Sequence, residues 1–239
     1  MVERDESGQK ASPMNKHISE QFDEELQSAR TLMMEMGGLL EQQLKNAHEA
    51  LLSQNAEKAL SVIEVEKQVN ALEKELDDQC IQIIARRQPA ASDLRMMIAV
   101  LRATTDLERI GDEAKRIAKL SLQSGSHPFP DDRFADIDSL MDRVQVMVAR
   151  SLDAFARSDV DNALATIELD AEVDRQYRTV MERLLRDMRE KPEALELWMN
   201  MTWVTRALER IGDHAKNISE YVVYLASGED VRHTRTNNT

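Results

Sequence analysis

Internal repetition constrains this chain more than any other feature. Leu107–Ala118 reads LERIGDEAKRIA and Leu208–Ser219 reads LERIGDHAKNIS, with nine of twelve positions identical at an offset of 101. Ala59–Asn70 returns less closely as Ala163–Asp174 at an offset of 104, and Pro89 and Pro192 stand 103 apart. The offsets drift only around the prolines, where a helical hairpin tolerates a change of length. Such a chain must build one supersecondary unit twice.

Apolar periodicity identifies the unit. Leu26, Ala29, Leu32, Met36, Leu40, Leu44, Ala47 and Leu51 recur at three- and four-residue steps, as do Val62, Val65, Val69, Leu72 and Leu76. That is the pattern of an amphipathic helix. Seven Gly and five Pro leave little turn material. The breaks fall at Ser53-Gln54-Asn55, Gln88-Pro89, Gly125–Pro130 and Lys191-Pro192. Between them the sequence predicts helices from near Ile18 to Leu51, then over 56–87, 92–122, 131–157, 159–190 and 193–226. Gly37-Gly38 interrupts the first and is a candidate bend. The expected fold is all-α, two tandem three-helix bundles related by the repeat. Residues 1–16 read as a disordered leader, 17–124 and 131–226 as the two repeats, and 227–239 as a flexible tail.

Composition narrows the function. The formal net charge is −13. An acidic surface repels phosphate backbones and excludes nucleic acid as a natural partner, while suiting metal cations or basic proteins. The single cysteine, Cys80, lies among Leu76, Ile83 and Ile84 and reads as a small core residue. No apolar leader segment is visible, and the longest apolar run, Met96–Leu101, is far below the roughly 20 residues that span a bilayer. The expected location is the cytoplasm, with the membrane reached only through partners. P-loop, GxGxxG, GxSxG, HExxH and paired ExxH motifs are all missing. His214 neighbours Asp213, but Glu113 fills its place in the first half, and His214 reads as a surface residue.

The residues that could carry chemistry are acids at i, i+4 spacing, which share one helix face. They are Glu108/Asp112 and Glu209/Asp213 on the third helix of each half, and Glu66/Asn70 and Asp170/Asp174 on the second. Asn70 and Glu108 each lie 19 residues from Pro89, and Glu66 and Asp112 each lie 23. Asp174 and Asp170 lie 18 and 22 before Pro192, and Glu209 and Asp213 lie 17 and 21 after it. Helices joined by so short a turn are antiparallel. At about 1.5 Å per residue, the members of each set therefore meet at nearly one height. Spacing alone does not turn Glu66 and Asn70 inward. Clustered carboxylates repel, and a cation such as Mg²⁺, Mn²⁺, Ca²⁺ or iron is a natural remedy. The plainer alternative is a solvated face with local pairs from Arg109, Lys115, Arg210 and Lys216. Gly111 and Gly212, between the acids, call for a packing reason such as close approach of another backbone. By charge count, the four carboxylates of the second half should hold metal more tightly than the first-half set with its neutral Asn70.

The chain resembles the PhoU family of phosphate-signalling regulators. The resemblance is carried by Asn15–Ser19, by Ala85–Pro89 with Ser92–Arg95, and by the doubled LERIGD, and covers roughly residues 15 to 226. It implies two similar three-helix bundles and a regulator without enzymatic activity. Such a regulator would repress phosphate-starvation genes when phosphate is plentiful and modulate phosphate uptake. The implied partners are a second copy in a homodimer, a sensor histidine kinase and the ATPase subunit of the phosphate ABC transporter. The resemblance also implies bound divalent or trivalent ions, drawn from Mg, Mn, Fe and Zn, on E/D-x-x-x-D motifs. Those map onto Glu108/Asp112, Glu209/Asp213 and Asp170/Asp174, while Asn70 departs from the motif beside Glu66.

Overall fold

In the computed structural model, which describes residues 13–123 and 131–228, six α-helices run in chain order. They are α1 (Pro13–Ser53), α2 (Ala56–Arg87), α3 (Ala91–Gln123), α4 (Asp131–Arg157), α5 (Val160–Glu190) and α6 (Leu195–Ser227). No strand occurs among the described residues. Helix α1 starts at Pro13, ahead of the expected Ile18. Proline suits a helix start, because its missing N–H would be unpaired there anyway. Residues 13–16, expected in the leader, are thus helical, while residues 1–12, all of the 125–130 link and most of the tail lie outside the described residues.

The two halves turn their first hairpin with the same device. Gln54 takes a left-handed conformation (φ 51°) and Asn55 then caps α2, its side chain accepting from the Lys58 N–H at 3.1 Å. One repeat later Ser158 is left-handed (φ 54°) and Asp159 caps α5 from the Asn162 N–H at 3.0 Å. Each Asx oxygen satisfies one of the donors that a helix start leaves free. The second turns differ. Gln88 is left-handed (φ 48°) before Pro89, whereas Pro192–Ala194 forms one 3₁₀ turn that delays α6 to Leu195. Trp198 is buried and donates its indole N–H to the Lys191 carbonyl at 3.1 Å, which ties down that turn.

Within each half every helix touches the other two, and the halves join where α3 packs along α6 and α1 along α4. One continuous apolar core results, drawing Leu40 from α1, Leu107 and Ile110 from α3, Met147 from α4, and Leu208 and Ile211 from α6. Helices α2 and α5 lie outside this joint. Helix α1 runs unbroken through Gly37-Gly38. A Cβ at Gly37 would come 2.7 Å from Leu152 of α4, while one at Gly38 would meet nothing within 4 Å. Gly37 therefore marks a close approach of α4 rather than a bend. Cys80 is fully buried as expected, and burial pushes its thiol up to about 12.

Polar clusters lock the joint. Asp106, 7% exposed, accepts from His214 Nδ1 at 2.7 Å, Asn217 Nδ2 at 3.0 Å and Tyr221 Oη at 2.7 Å. Buried Glu113 meets Arg210 at 2.8 Å, and Arg116 lies over the half-exposed Trp203 ring at 5.6 Å. The partners on α6 fall in number as those on α3 rise, so the two helices are antiparallel. His48 of α1 pairs with Asp138 of α4 at 2.6 Å. His214 is therefore part of the α3–α6 joint and not a surface residue. Its repeat counterpart Glu113 is in the joint as well, paired with Arg210 in place of an aspartate.

Candidate metal centre

The height argument holds for the three first-half acids. One carboxylate oxygen each from Glu66, Glu108 and Asp112 lies within 4.8 Å of the others. Glu66 is only 3% exposed, so α2 turns it inward. Asn70 stands one turn further along α2, and its Oδ1 is buried with no hydrogen-bond partner. Burial first and Asp112 second raise the Glu108 carboxyl above its ordinary value, with smaller contributions from Glu73 and Glu66. Glu73 thus acts on the cluster, whereas Glu64 is exposed and paired with Lys67 at 2.7 Å.

A lysine enters the cluster. Lys115 Nζ lies 3.2 Å from Glu66 and 3.3 Å from Asp112. Burial works against its charge, but the two carboxylates outweigh burial and hold the ammonium above its ordinary value. Arg109 reaches Glu108 at 3.4 Å. Arg210, the repeat counterpart of Arg109, leaves the acids for Glu113 across the joint.

The second half gathers the same acids without focusing them. Asp170 is buried and bound to Lys216 at 2.7 Å. One Glu209 oxygen pairs with Arg206 at 2.6 Å, and the other is buried without a partner. Asp174 is half-buried and Asp213 exposed. The groups still feel one another. Although Asp213 reaches solvent, the protein around it strips part of its hydration, and this, then Asp170 and Asp174, raise its carboxyl; burial, then Asp213, raise Glu209. Among the described residues, however, only the first-half acids meet within 4.8 Å. Asp170 is one methylene shorter than Glu66, and Lys216 and Arg206 each draw an acid aside. Charge count favours the second half, while arrangement favours the first.

The mid-helix glycines have a packing reason, and it is side chains rather than a second backbone. A Cβ at Gly111 would sit 3.1 Å from Glu66 Oε2, 3.1 Å from Leu40 and 3.2 Å from Gln43 Oε1. At Gly212 the nearest atoms are Val173 Cγ1 at 3.3 Å and Met147 Sδ at 3.9 Å. Gln43 is fully buried against the first-half acids. It lies three residues after Leu40 and four before Ala47 on the apolar stripe of α1, so a polar side chain on a core face was its sequence signal.

Both halves match the family model described as PhoU domain, over residues 33–121 and 137–222. The chain belongs to the PhoU family. It is 44% identical over 217 residues to the phosphate-specific transport system accessory protein PhoU homolog of Pseudomonas aeruginosa, covering 91% of this chain and 90% of that protein. It is 40% identical over 220 residues to the Escherichia coli PhoU accessory protein, covering 92% and 91%. The crystal structure of PhoU from Pseudomonas aeruginosa superposes with a TM-score of 0.85 at 42% identity, covering 87% of this chain and all of that one. The Streptococcus pneumoniae phosphate transport system regulatory protein PhoU gives 0.81 at 27%, covering 88% and 99%. The tandem arrangement of three-helix units inferred from LERIGD is thus the fold of PhoU crystal structures. The donor set also suits a hard cation. It consists of carboxylate oxygens held close enough to repel, and one turn from Glu66 on α2 the Asn70 Oδ1 is buried without a partner.

Proposed function

We propose that this chain is a non-enzymatic regulator of phosphate homeostasis. It holds the phosphate-starvation response down when phosphate is plentiful and modulates phosphate transport. It acts as an adapter between the ATPase subunit of the phosphate ABC transporter and the sensor histidine kinase of that response, working in the cytoplasm as a homodimer. The observation that carries this reading is the match to PhoU accessory proteins over 92% of the chain, with the family model on both repeats. Its chemistry agrees. No helix among the described residues is long and apolar enough to cross a membrane. Leu195, Met199 and Trp203 expose an apolar ridge at four-residue steps along α6, which a second copy would cover.

In this reading Glu66, Asn70, Glu108 and Asp112 hold one metal site, and Asp170, Asp174, Glu209 and Asp213 a second. The ions are divalent or trivalent, drawn from Mg, Mn, Fe and Zn. A bound cation offsets the mutual repulsion of the acids and cross-links α2 to α3 and α5 to α6. Lys115 and Lys216 occupy that role in its absence. Their ion pairs favour a second reading, a helical scaffold whose acids are neutralised internally and bind no metal. Deletion of the gene should raise expression of phosphate-starvation genes in phosphate-rich medium, and unchanged expression would defeat the regulatory reading. Elemental analysis of the purified chain separates the metal reading from the scaffold.

A further inference from the structure

Gln43 of α1 reaches the first-half cluster from a third helix. It is fully buried. Its amide nitrogen donates to the Val62 carbonyl at 3.0 Å and to Glu66 Oε2 at 3.2 Å. Both amide hydrogens are thereby used on one edge of α2. Turning the amide over would set its oxygen against two acceptors, so the chemistry fixes the orientation. Gln43 Oε1 is left buried without a partner, beside the backbone of Gly111 between Glu108 and Asp112. The arrangement is costly, because a buried carbonyl oxygen without a donor loses its hydration. Here that cost accompanies an amide whose two hydrogens are committed to α2, one of them to the Glu66 carboxylate.

The second half lacks this device. Asn55 and Asp159, the caps of α2 and α5, correspond at an offset of 104, and the same offset sets Met147 opposite Gln43. The packing agrees, since Met147 Sδ faces Gly212 where Gln43 Oε1 faces Gly111. A thioether gives no N–H to a carboxylate. Asp170 is bonded instead to Lys216, at 2.7 Å.

We infer that Gln43 is the positioning residue of the first-half acidic cluster, fixing the Glu66 carboxylate so that it meets Glu108 and Asp112 around a hard cation. This rests on the proposal that the cluster binds metal. An arriving cation repels Lys115, the other group bonded to Glu66. Gln43 is neutral and stays, so Glu66 keeps its aim when the lysine leaves. With Met147 in that place, the second-half acids are left to Lys216 and Arg206, and the thioether offers the shorter Asp170 no neutral donor to aim it.

The test uses the full chain carrying Glu209→Gln and Asp213→Asn, so that Mn²⁺ titration followed by electron paramagnetic resonance reads the first half. Gln43→Met installs the residue that the fold already accepts in the other half. Gln43→Asn keeps the amide but withdraws it by one methylene. Outer hydrogen-bond partners of metal ligands typically govern affinity by about 10–100-fold. Both variants should therefore weaken Mn²⁺ binding by at least about 10-fold, with metal-free melting curves that stay cooperative. In a Glu66→Gln background, Gln43→Met should change affinity by less than about twofold, since its route to the metal is gone. Unchanged affinity in Gln43→Met and Gln43→Asn, or an equal loss with and without Glu66, overturns the positioning role while leaving metal binding intact. No Mn²⁺ binding with Gln43 present overturns the metal reading and this inference with it.

Discussion

Alanine placed at the two repeat-related glycines should give opposite results. Either substitution removes a mid-helix glycine and gains about 1 kcal/mol of helix propensity. At Gly111 the new methyl meets three neighbours at 3.1–3.2 Å, Glu66 Oε2, Leu40 and Gln43 Oε1. None gives easily. Leu40 is fully buried, and Glu66 and Gln43 are bonded to each other. Overpacking of that kind costs about 1–3 kcal/mol, so Gly111→Ala should destabilise by roughly 1 kcal/mol net. At Gly212 one methyl of Val173, at 3.3 Å, has to move by a few tenths of an ångström. Gly212→Ala should be neutral or stabilising by about 0.5 kcal/mol. For a chain of this size the gap corresponds to roughly 3–6 °C in Tm. The assay is thermal melting by circular dichroism in chelator, which removes any metal contribution. Equal Tm values, or a Gly111→Ala variant more stable than Gly212→Ala, would refute the claim that Gly111 is reserved for the acid cluster.

Other expectations follow from the same geometry. Elemental analysis during graded chelation should show that Glu108→Gln with Asp112→Asn loses the tightly held metal and that Glu209→Gln with Asp213→Asn keeps it; the reverse would restore charge count over arrangement. Asp106→Leu strands three donors at the joint and should cost about 3 kcal/mol in urea unfolding, against near-neutrality if the joint is only apolar. Arg133 is hydrogen-bonded to Asp187 and holds that carboxyl below its ordinary value of 3.8. A depressed carboxyl stabilises above its unfolded value and loses that contribution as pH falls through its folded one, so the penalty of Arg133→Met, about 2 kcal/mol at pH 7, should shrink below about pH 3.8 in stepwise urea titrations. Met199→Glu with Trp203→Glu should yield a monomer by light scattering where the parent chain is a dimer; an unchanged mass would remove the α6 ridge from the interface.

What repetition encodes was legible in the sequence, and what breaks it was not. Periodicity and prolines place six helices within a few residues, because each is long and amphipathic and each turn carries its own punctuation. Counting from Pro89 brings Glu66, Glu108 and Asp112 to one height, since helical rise is nearly constant. The unequal focusing of the two acid sets escaped the same count. It depends on side-chain length at Glu66 and Asp170 and on where lysines and arginines reach, which spacing does not register. Gln43, Asp106 and His214 were missed or misread for a related reason. Their repeat counterparts are Met147, Ala207 and Glu113, so comparing halves hides them. Asp106 and His214 belong to the α3–α6 joint, which exists only once the halves are docked, while Gln43 acts inside the first half on a helix face that its counterpart Met147 makes look purely apolar.

The most direct measurement is reporter expression from a phosphate-starvation promoter in a strain lacking this gene, grown in phosphate-rich medium. Expression should be high in the deletion, should fall on complementation with the parent chain, and should stay high with a folded Glu66→Gln, Glu108→Gln, Asp112→Asn variant. A reporter that stays silent in the deletion strain would contradict the regulatory role, and full silencing by the triple variant would contradict the part assigned to the first-half acids.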